Sequence, residues 1–265
     1  MLTLDQAIRF RFWEAGCLIW VGAKDLGGLS YLEFCQLIWG EDLEKLREAV
    51  IHRRLLIPLD LYQDDGYSVR LQMQPLTPQE EEEWVARARW YLDLSQGQMV
   101  ISGIADGEED AFLTLPIATD STAVEEAFQC YIDVPPGLYQ VEIYSFAPWD
   151  LSTAWQQITG DGFFPTSPGI EPESLPNYFK RTRPGQQPPP WIALELTEDS
   201  EQKQQFYQQL TDLQYVNFII RLTSELTELP TVEINDNAAV AWEFRKPERC
   251  PLGILENPES CHADR

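Results

Sequence analysis

An α+β fold is predicted: an N-terminal, mostly helical region leads into a mainly antiparallel β-sheet or sandwich body with one or two packed helices. Three observations point to it. Capping signals cluster in the first eighty residues, period-two alternation dominates from Trp90 to Phe146, and a helix-length segment lies between two apolar runs in the last third. Residues 1–76 and 77–265 are the expected regions, with a loop rich in proline and aromatic residues at 147–190.

Thr3 and Gln6 have capping-box spacing, Leu4, Ile8, Phe12 and Ala15 recur at helical intervals, and Gly16 can close the helix, so residues 4–15 are predicted helical. A short apolar segment, Cys17 to Val21, follows. Ser30 with Glu33 forms a second capping box opening a helix from Tyr31 to about Trp39. Gly40 stops it. Residues 41–53 then read as a third helix, acidic at its start and ending in His52, Arg53 and Arg54, the polarity a helix dipole favours. The alternation of Tyr67, Val69, Leu71 and Met73 around an Asp-Asp-Gly turn predicts a strand or hairpin within 55–76.

Thr77 and Pro78 open a further helix, with Glu80 to Glu83 in its first turns and Arg87 and Arg89 toward its end, which explains the acidic run by helix-end electrostatics. Strands are expected at Tyr91–Leu94, Met99–Ile104, Ala111–Leu115, Phe128–Val134 and Tyr139–Phe146, the last two joined as a hairpin by Val134-Pro-Pro-Gly-Leu138. Beyond the loop come a strand at Trp191–Leu196, a helix at about Asp199–Leu213 and a strand at Tyr215–Leu222. Strands near Thr231–Ile234 and Ala239–Phe244 follow, and a surface tail begins at Pro251.

The chain has 265 residues, 44% of them apolar, which is ample for a packed core. Its 19 basic and 43 acidic side chains give a formal net charge of -24. Residues 1–60 hold seven Lys or Arg against nine Asp or Glu, so nearly all of the acidity lies beyond residue 60. Such a field repels phosphate backbones and anionic headgroups, which argues against direct nucleic-acid or membrane partners and makes a basic protein the favoured partner. No apolar run reaches the length of a membrane span, and Met1 to Gly16 does not read as a signal peptide, so a cytoplasmic location is expected. Five cysteines without regular spacing predict buried thiols rather than a disulfide framework.

Catalytic signals are weak. His52 stands at a helix end and His262 is close to the C-terminus, so neither has an orienting neighbour for nucleophilic catalysis. Cys250, Cys261 and His262 lack zinc-site spacing, and the oxygen-rich stretches at 106–110 and 235–237 lack the calcium-loop pattern. No catalytic residue, metal site or cofactor is therefore assigned. Two binding hypotheses remain. Trp149, Trp155, Trp191, Tyr178 and Phe179, beside prolines, can either anchor loops or form the apolar centre of a protein interface. The glycine-containing stretch 22–30, between an apolar strand and a helix, can position Lys24, Asp25, Gly27 and Gly28 around a small ligand, although its glycines fit neither nucleotide-loop spacing. The favoured expectation is a non-catalytic adaptor, assembly factor or inhibitor. The alternative is an enzyme or small-ligand module at 22–30, and a mimic of DNA would require carboxylates spaced like phosphates.

Overall fold

The computed structural model describes residues 7–13, 18–30, 33–34, 36–37, 42–61, 66–103, 117–118, 129–146, 173–212, 215–235 and 238–256. The fold is α+β, with two multistranded sheets and several helices. Contacts divide the chain into two units that interleave in sequence. The first comprises residues 1–75, 87–144 and 218–243, and the second 76–86, 145–217 and 244–265.

Both sheets are built mainly from the first unit. The six-stranded sheet has the order β1 (Ala7–Trp13), β4 (Gly66–Gln72), β10 (Phe218–Thr223), β9 (Gly137–Ser145), β5 (Ala86–Leu94), β11 (Glu243–Phe244). The five-stranded sheet has the order β3 (Leu56–Asp60), β2 (Leu18–Ala23), β6 (Gln98–Gly103), β8 (Gln129–Asp133), β7 (Ile117–Ala118). Antiparallel pairing joins β1 to β4, β2 to β3 and β6, and β6 to β8; β4–β10 and β7–β8 are parallel.

The expected N-terminal helix is corrected by β1. Ile8, Phe10 and Phe12 alternate with Arg9 and Arg11, a period-two pattern that coexists with the helical spacing, and the ladder to β4 selects the extended form. The strand expected within 55–76 is β4, while the hairpin alternative there and the hairpin expected across 134–138 are corrected. β3 and β4 lie in different sheets, as do β8 and β9, so the proline-glycine connection at 134–138 passes from one sheet to the other. A strand edge offers the same backbone groups to any partner, and only tertiary packing chooses among them.

Helical backbone occurs at Glu33, Phe34, Gln36 and Leu37, and the Ser30–Glu33 box is formed: the Ser30 amide and hydroxyl donate to Glu33 at 2.8 and 2.7 Å, and the Glu33 amide donates back to Ser30 Oγ at 3.3 Å. Asp42 caps α1 (Leu43–Arg47), which continues into a π-helical turn, Glu48–His52. Its inward face buries Leu46, Ala49 and Val50, and the indole of Trp90 donates to the Val50 carbonyl at 2.8 Å. Trp242 ties the two sheets together. Its ring stacks on Phe218 of β10 with centroids 6.3 Å apart, and its N–H donates to the Asp60 carbonyl of β3 at 3.1 Å.

In the second unit, the helix expected to open at Thr77 and Pro78 is α2 (Pro78–Glu83), and the structure adds a capping box between Thr77 and Glu80. That helix ends at Glu83, however, and Arg87 and Arg89 belong to β5, which corrects their expected place on the helix. The rest of the unit contains α3 (Leu175–Thr182), α4 (Pro190–Leu196) and α5 (Ser200–Asp212). α4 replaces the expected strand at Trp191–Leu196; Pro190 occupies its first turn, where a missing N–H costs nothing, and Trp191 and Ile192 are buried. The expected helix near 199–213 and the apolar strand within 215–222 correspond to α5 and β10. Strand Ala111–Leu115 falls outside the described residues. Among those described, no helix is long and apolar enough to cross a membrane.

The segment Pro247–Leu255 packs rather than frays, a further correction. Tyr178 donates its hydroxyl to the Pro247 carbonyl, Thr182 Oγ1 accepts the Cys250 amide at 2.9 Å, Trp191 donates to the Leu252 carbonyl at 3.0 Å, and Val216 donates to that of Ile254 at 2.7 Å. Cys250 is buried, and burial pushes its thiol up to about 12. Glu173 binds Arg181 and Lys246 at 2.7 and 2.8 Å. The Arg181 hydrogen bond, with help from Lys246, lowers its carboxyl to about 2. A lowered value stabilises the fold above the ordinary carboxylate range, and that contribution is lost as pH falls toward 2. Acid unfolding of Glu173→Gln, followed by circular dichroism between about pH 5 and 2, should therefore be shallower than that of the parent chain. Superimposable profiles would show that the pair contributes nothing.

Candidate functional site

One face of the six-stranded sheet concentrates polar chemistry. The burial of β5 alternates strictly, Ala88, Trp90 and Leu92 facing inward and Arg87, Arg89, Tyr91 and Asp93 facing the other way. On β9, Gln140, Glu142 and Tyr144 share a face opposite the buried Val141 and Ile143. Register places Arg9 opposite Arg70, Arg11 opposite Ser68, and Arg221 beside Gln72 on one side of β1, β4 and β10. Six arginines of a strongly acidic chain thus share one sheet face with Asp93, Glu142 and Glu243.

Glu142 is almost fully buried and accepts from Arg221 at 2.8 Å, from the Tyr144 hydroxyl at 3.0 Å and from Gln140 at 3.2 Å. Burial, then the Glu142 charge, pushes the Tyr144 phenol up to about 12, so it remains a hydrogen-bond donor at neutral pH. Arg87 grips Glu243 with Nε at 3.2 Å and Nη2 at 2.8 Å, while Arg89 adds one contact at 3.2 Å. This is a fork-to-carboxylate grip with a second guanidinium alongside.

An irregular strap, residues 224–233, lies beside this face. Gln140 Oε1 accepts from the Thr227 amide and hydroxyl at 3.0 and 2.8 Å, the Tyr91 hydroxyl donates to the Thr227 carbonyl, and the Leu229 amide donates back to Tyr91 Oη at 3.1 Å. Pinned mainly through its backbone, the strap leaves Glu225, Leu226 and Glu228 exposed while Leu229, Pro230 and Val232 line its inner side. Leu226 is 47% exposed, between the exposed carboxylates of Glu225 and Glu228, with Glu233 at the far end. Between strap and sheet lies a cleft of about 130 Å³, walled by Leu229, Pro230, Val232, Val240 and Ala241, with Arg87, Arg89 and Glu243 at its polar side.

The residues singled out in the sequence lie elsewhere. Trp191, Tyr178 and Phe179 are buried in the second unit, and Trp149 and Trp155 fall outside the described residues. Lys24 and Asp25 are exposed; the Lys24 ammonium sits 4.7 Å from the centre of the Tyr131 ring. Gly27 and Gly28 take positive φ, and the Gly27, Gly28 and Leu29 amides donate to Asp25 Oδ1, Asp25 O and Leu26 O at 3.2, 2.8 and 3.3 Å. These three amides thus close on the loop itself, while the Lys24 amide donates to the Gln98 carbonyl at 3.2 Å. Among the described residues, no three His, Cys, Asp or Glu side chains converge as metal ligands. Sequence reading missed the arginine face because it placed Arg87 and Arg89 on a helix. The alternation Ala86-Arg-Ala-Arg-Trp-Tyr-Leu-Asp-Leu94 was the available signal.

No protein-family model matches this chain, and no curated protein matches it. Two solved structures resemble it weakly. One is described as crocagin biosynthetic gene J, at 12% identity, covering 53% of this chain and 77% of the other with a TM-score of 0.32. The second is ComJ of Bacillus subtilis, described as an inhibitor of the DNA-degrading activity of NucA, at 8% identity, covering 57% and 88% with a TM-score of 0.28. At these scores and identities neither supports a statement about what this chain does.

Proposed function

We propose that this chain is a non-catalytic, acidic protein-binding protein, an adaptor, assembly factor or inhibitor, whose partner carries a basic surface. The observation that carries the reading is the net charge of -24, which attracts a basic protein over long range and repels nucleic acid and anionic membranes. The strap supports it locally: an exposed leucine rimmed by carboxylates, on a backbone already held in place, combines an apolar anchor with a polar rim at low ordering cost.

The test is capture of partners from the native lysate at about 0.05 M and at about 0.5 M salt, where screening differs severalfold. It uses the parent chain and the triple variant Glu225→Lys, Glu228→Lys, Glu233→Lys. The expected result is one stoichiometric basic partner, retained at low salt, lost at high salt and lost from the variant. Retention that ignores both salt and charge reversal refutes the reading. So does an empty capture. The 22–30 loop is a separate proposal, which fails if Lys24→Ala leaves thermal stabilisation by nucleotides and sugar phosphates unchanged.

A further inference from the structure

The cleft between the strap and β5 carries chemistry opposite to that of the chain as a whole. Its polar side is cationic and its wall is aliphatic. Glu243 shows that a carboxylate fits the paired guanidiniums, because it accepts from both Arg87 and Arg89. The two arginines are unequally engaged. Arg87 commits its Nε and Nη2 to Glu243, and the Glu243 contact of Arg89 uses only Nη2 of a guanidinium that carries five N–H donors. Arg89 keeps 29% of its side chain exposed and Glu243 keeps 50%, so the ion pair sits at an open mouth that solutes reach.

We propose that this cleft is a binding site for a carboxylate attached to a short apolar group, with Arg89 as the anchoring fork and Leu229, Pro230, Val232, Val240 and Ala241 as the apolar wall. Glu243 is the resident competitor: it occupies part of the guanidinium pair and holds Arg87 in place until an incoming carboxylate shares or replaces it. A space of about 130 Å³ suits one small acid or one terminal residue, not a nucleotide or a cofactor. The arginines at 70 and 221 lie on the same face and lessen the repulsion that an anion meets near this chain. The site stands independently of the basic-partner reading, since it selects the opposite charge.

The experiment is titration of the full chain with sodium propionate, against sodium chloride at equal ionic strength, following the Nε–Hε signals of Arg87 and Arg89 by NMR. The expected result is a saturable shift at Arg89 with a dissociation constant in the millimolar range, on the order of 4 kcal/mol of binding. Glu243→Gln should tighten it about tenfold by removing the competitor, and Arg89→Gln should abolish it. Arg89→Lys, which keeps the charge but not the fork, should weaken it about tenfold and decides the matter should the glutamine variant fail to fold. A linear response equal to that of chloride overturns the proposal, as does a saturable response that survives in Arg89→Lys unweakened. Short peptides ending in valine, with a free or an amidated terminus, separate the two sources of this chemistry. Tighter binding of the free-terminus peptide than of propionate assigns the site to a chain terminus, and equal binding assigns it to a small free acid.

Discussion

Replacing Glu83 by alanine should lower the stability of the second unit by about 3 kcal/mol, because it leaves two backbone amides without their acceptor and removes one of the two carboxylates, Glu82 and Glu83, beside the buried Arg183. Glu83 Oε2 accepts the Leu252 and Gly253 amides, each at 3.0 Å, and Oε1 accepts from Gln79 at 3.2 Å. The guanidinium of Arg183, itself only 5% exposed, lies 3.6 Å away and donates from Nε to the Cys250 carbonyl at 2.9 Å. Glu83 therefore holds the amides of Leu252 and Gly253. Hydrogen exchange at the Leu252 and Gly253 amides is the direct readout: protection should fall by about two powers of ten in the variant, and unchanged protection would show that the segment is held by other contacts. Burial raises the Glu83 carboxyl above the ordinary carboxylate range, against the opposing pull of those donors and Arg183. With the folded value raised, the contribution is fully present below the unfolded value and is lost as pH rises through the folded one. Glu83→Gln, which cannot ionise, should therefore remove this part of the pH dependence while costing less than alanine.

In the first unit the largest effect is expected from the smallest addition. A Cβ placed on Gly22 would stand 2.7 Å from the Leu55 carbonyl oxygen and 3.2 Å from Leu56 Cβ. The nearest obstacle is backbone, and the same Leu55 oxygen accepts the Ala23 amide at 3.0 Å, so it cannot withdraw without breaking that bond. Gly22 pairs with Leu56 at the end of the β2–β3 ladder, in a strand buried along its whole length. Gly22→Ala should cost about 2 to 3 kcal/mol through overpacking. A urea midpoint indistinguishable from that of the parent chain would mean that β2 and β3 separate freely.

Features set within four residues were legible in the sequence, because their partners are near neighbours. The Ser30–Glu33 box, the helix start at Thr77 and Pro78, the buried alternation of Tyr67, Val69 and Leu71, and the helix ending near Asp212 are of this kind. The N-terminal segment was ambiguous for the same reason. Ile8, Phe10 and Phe12 satisfy a strand period while Leu4, Ile8, Phe12 and Ala15 satisfy a helical one, and nothing local decides between them. The candidate site was less legible still. The spacing between Arg87 and Glu243 spans 156 residues, and that between Gln140 and Thr227 spans 87.

By itself, the sequence determined the α+β class, the net charge of -24 and several of the local caps and turns. Tertiary structure alone decided that residues 7–13 are a strand, that β3 and β4 part company into different sheets, that Trp191, Tyr178 and Phe179 are core, and that arginines from β1, β4, β5 and β10 share one face. Caps and charges are properties of residues close together or of their sum. Strand partners and buried ion pairs are chosen by competition among many equivalent backbone edges, which only the packed chain resolves.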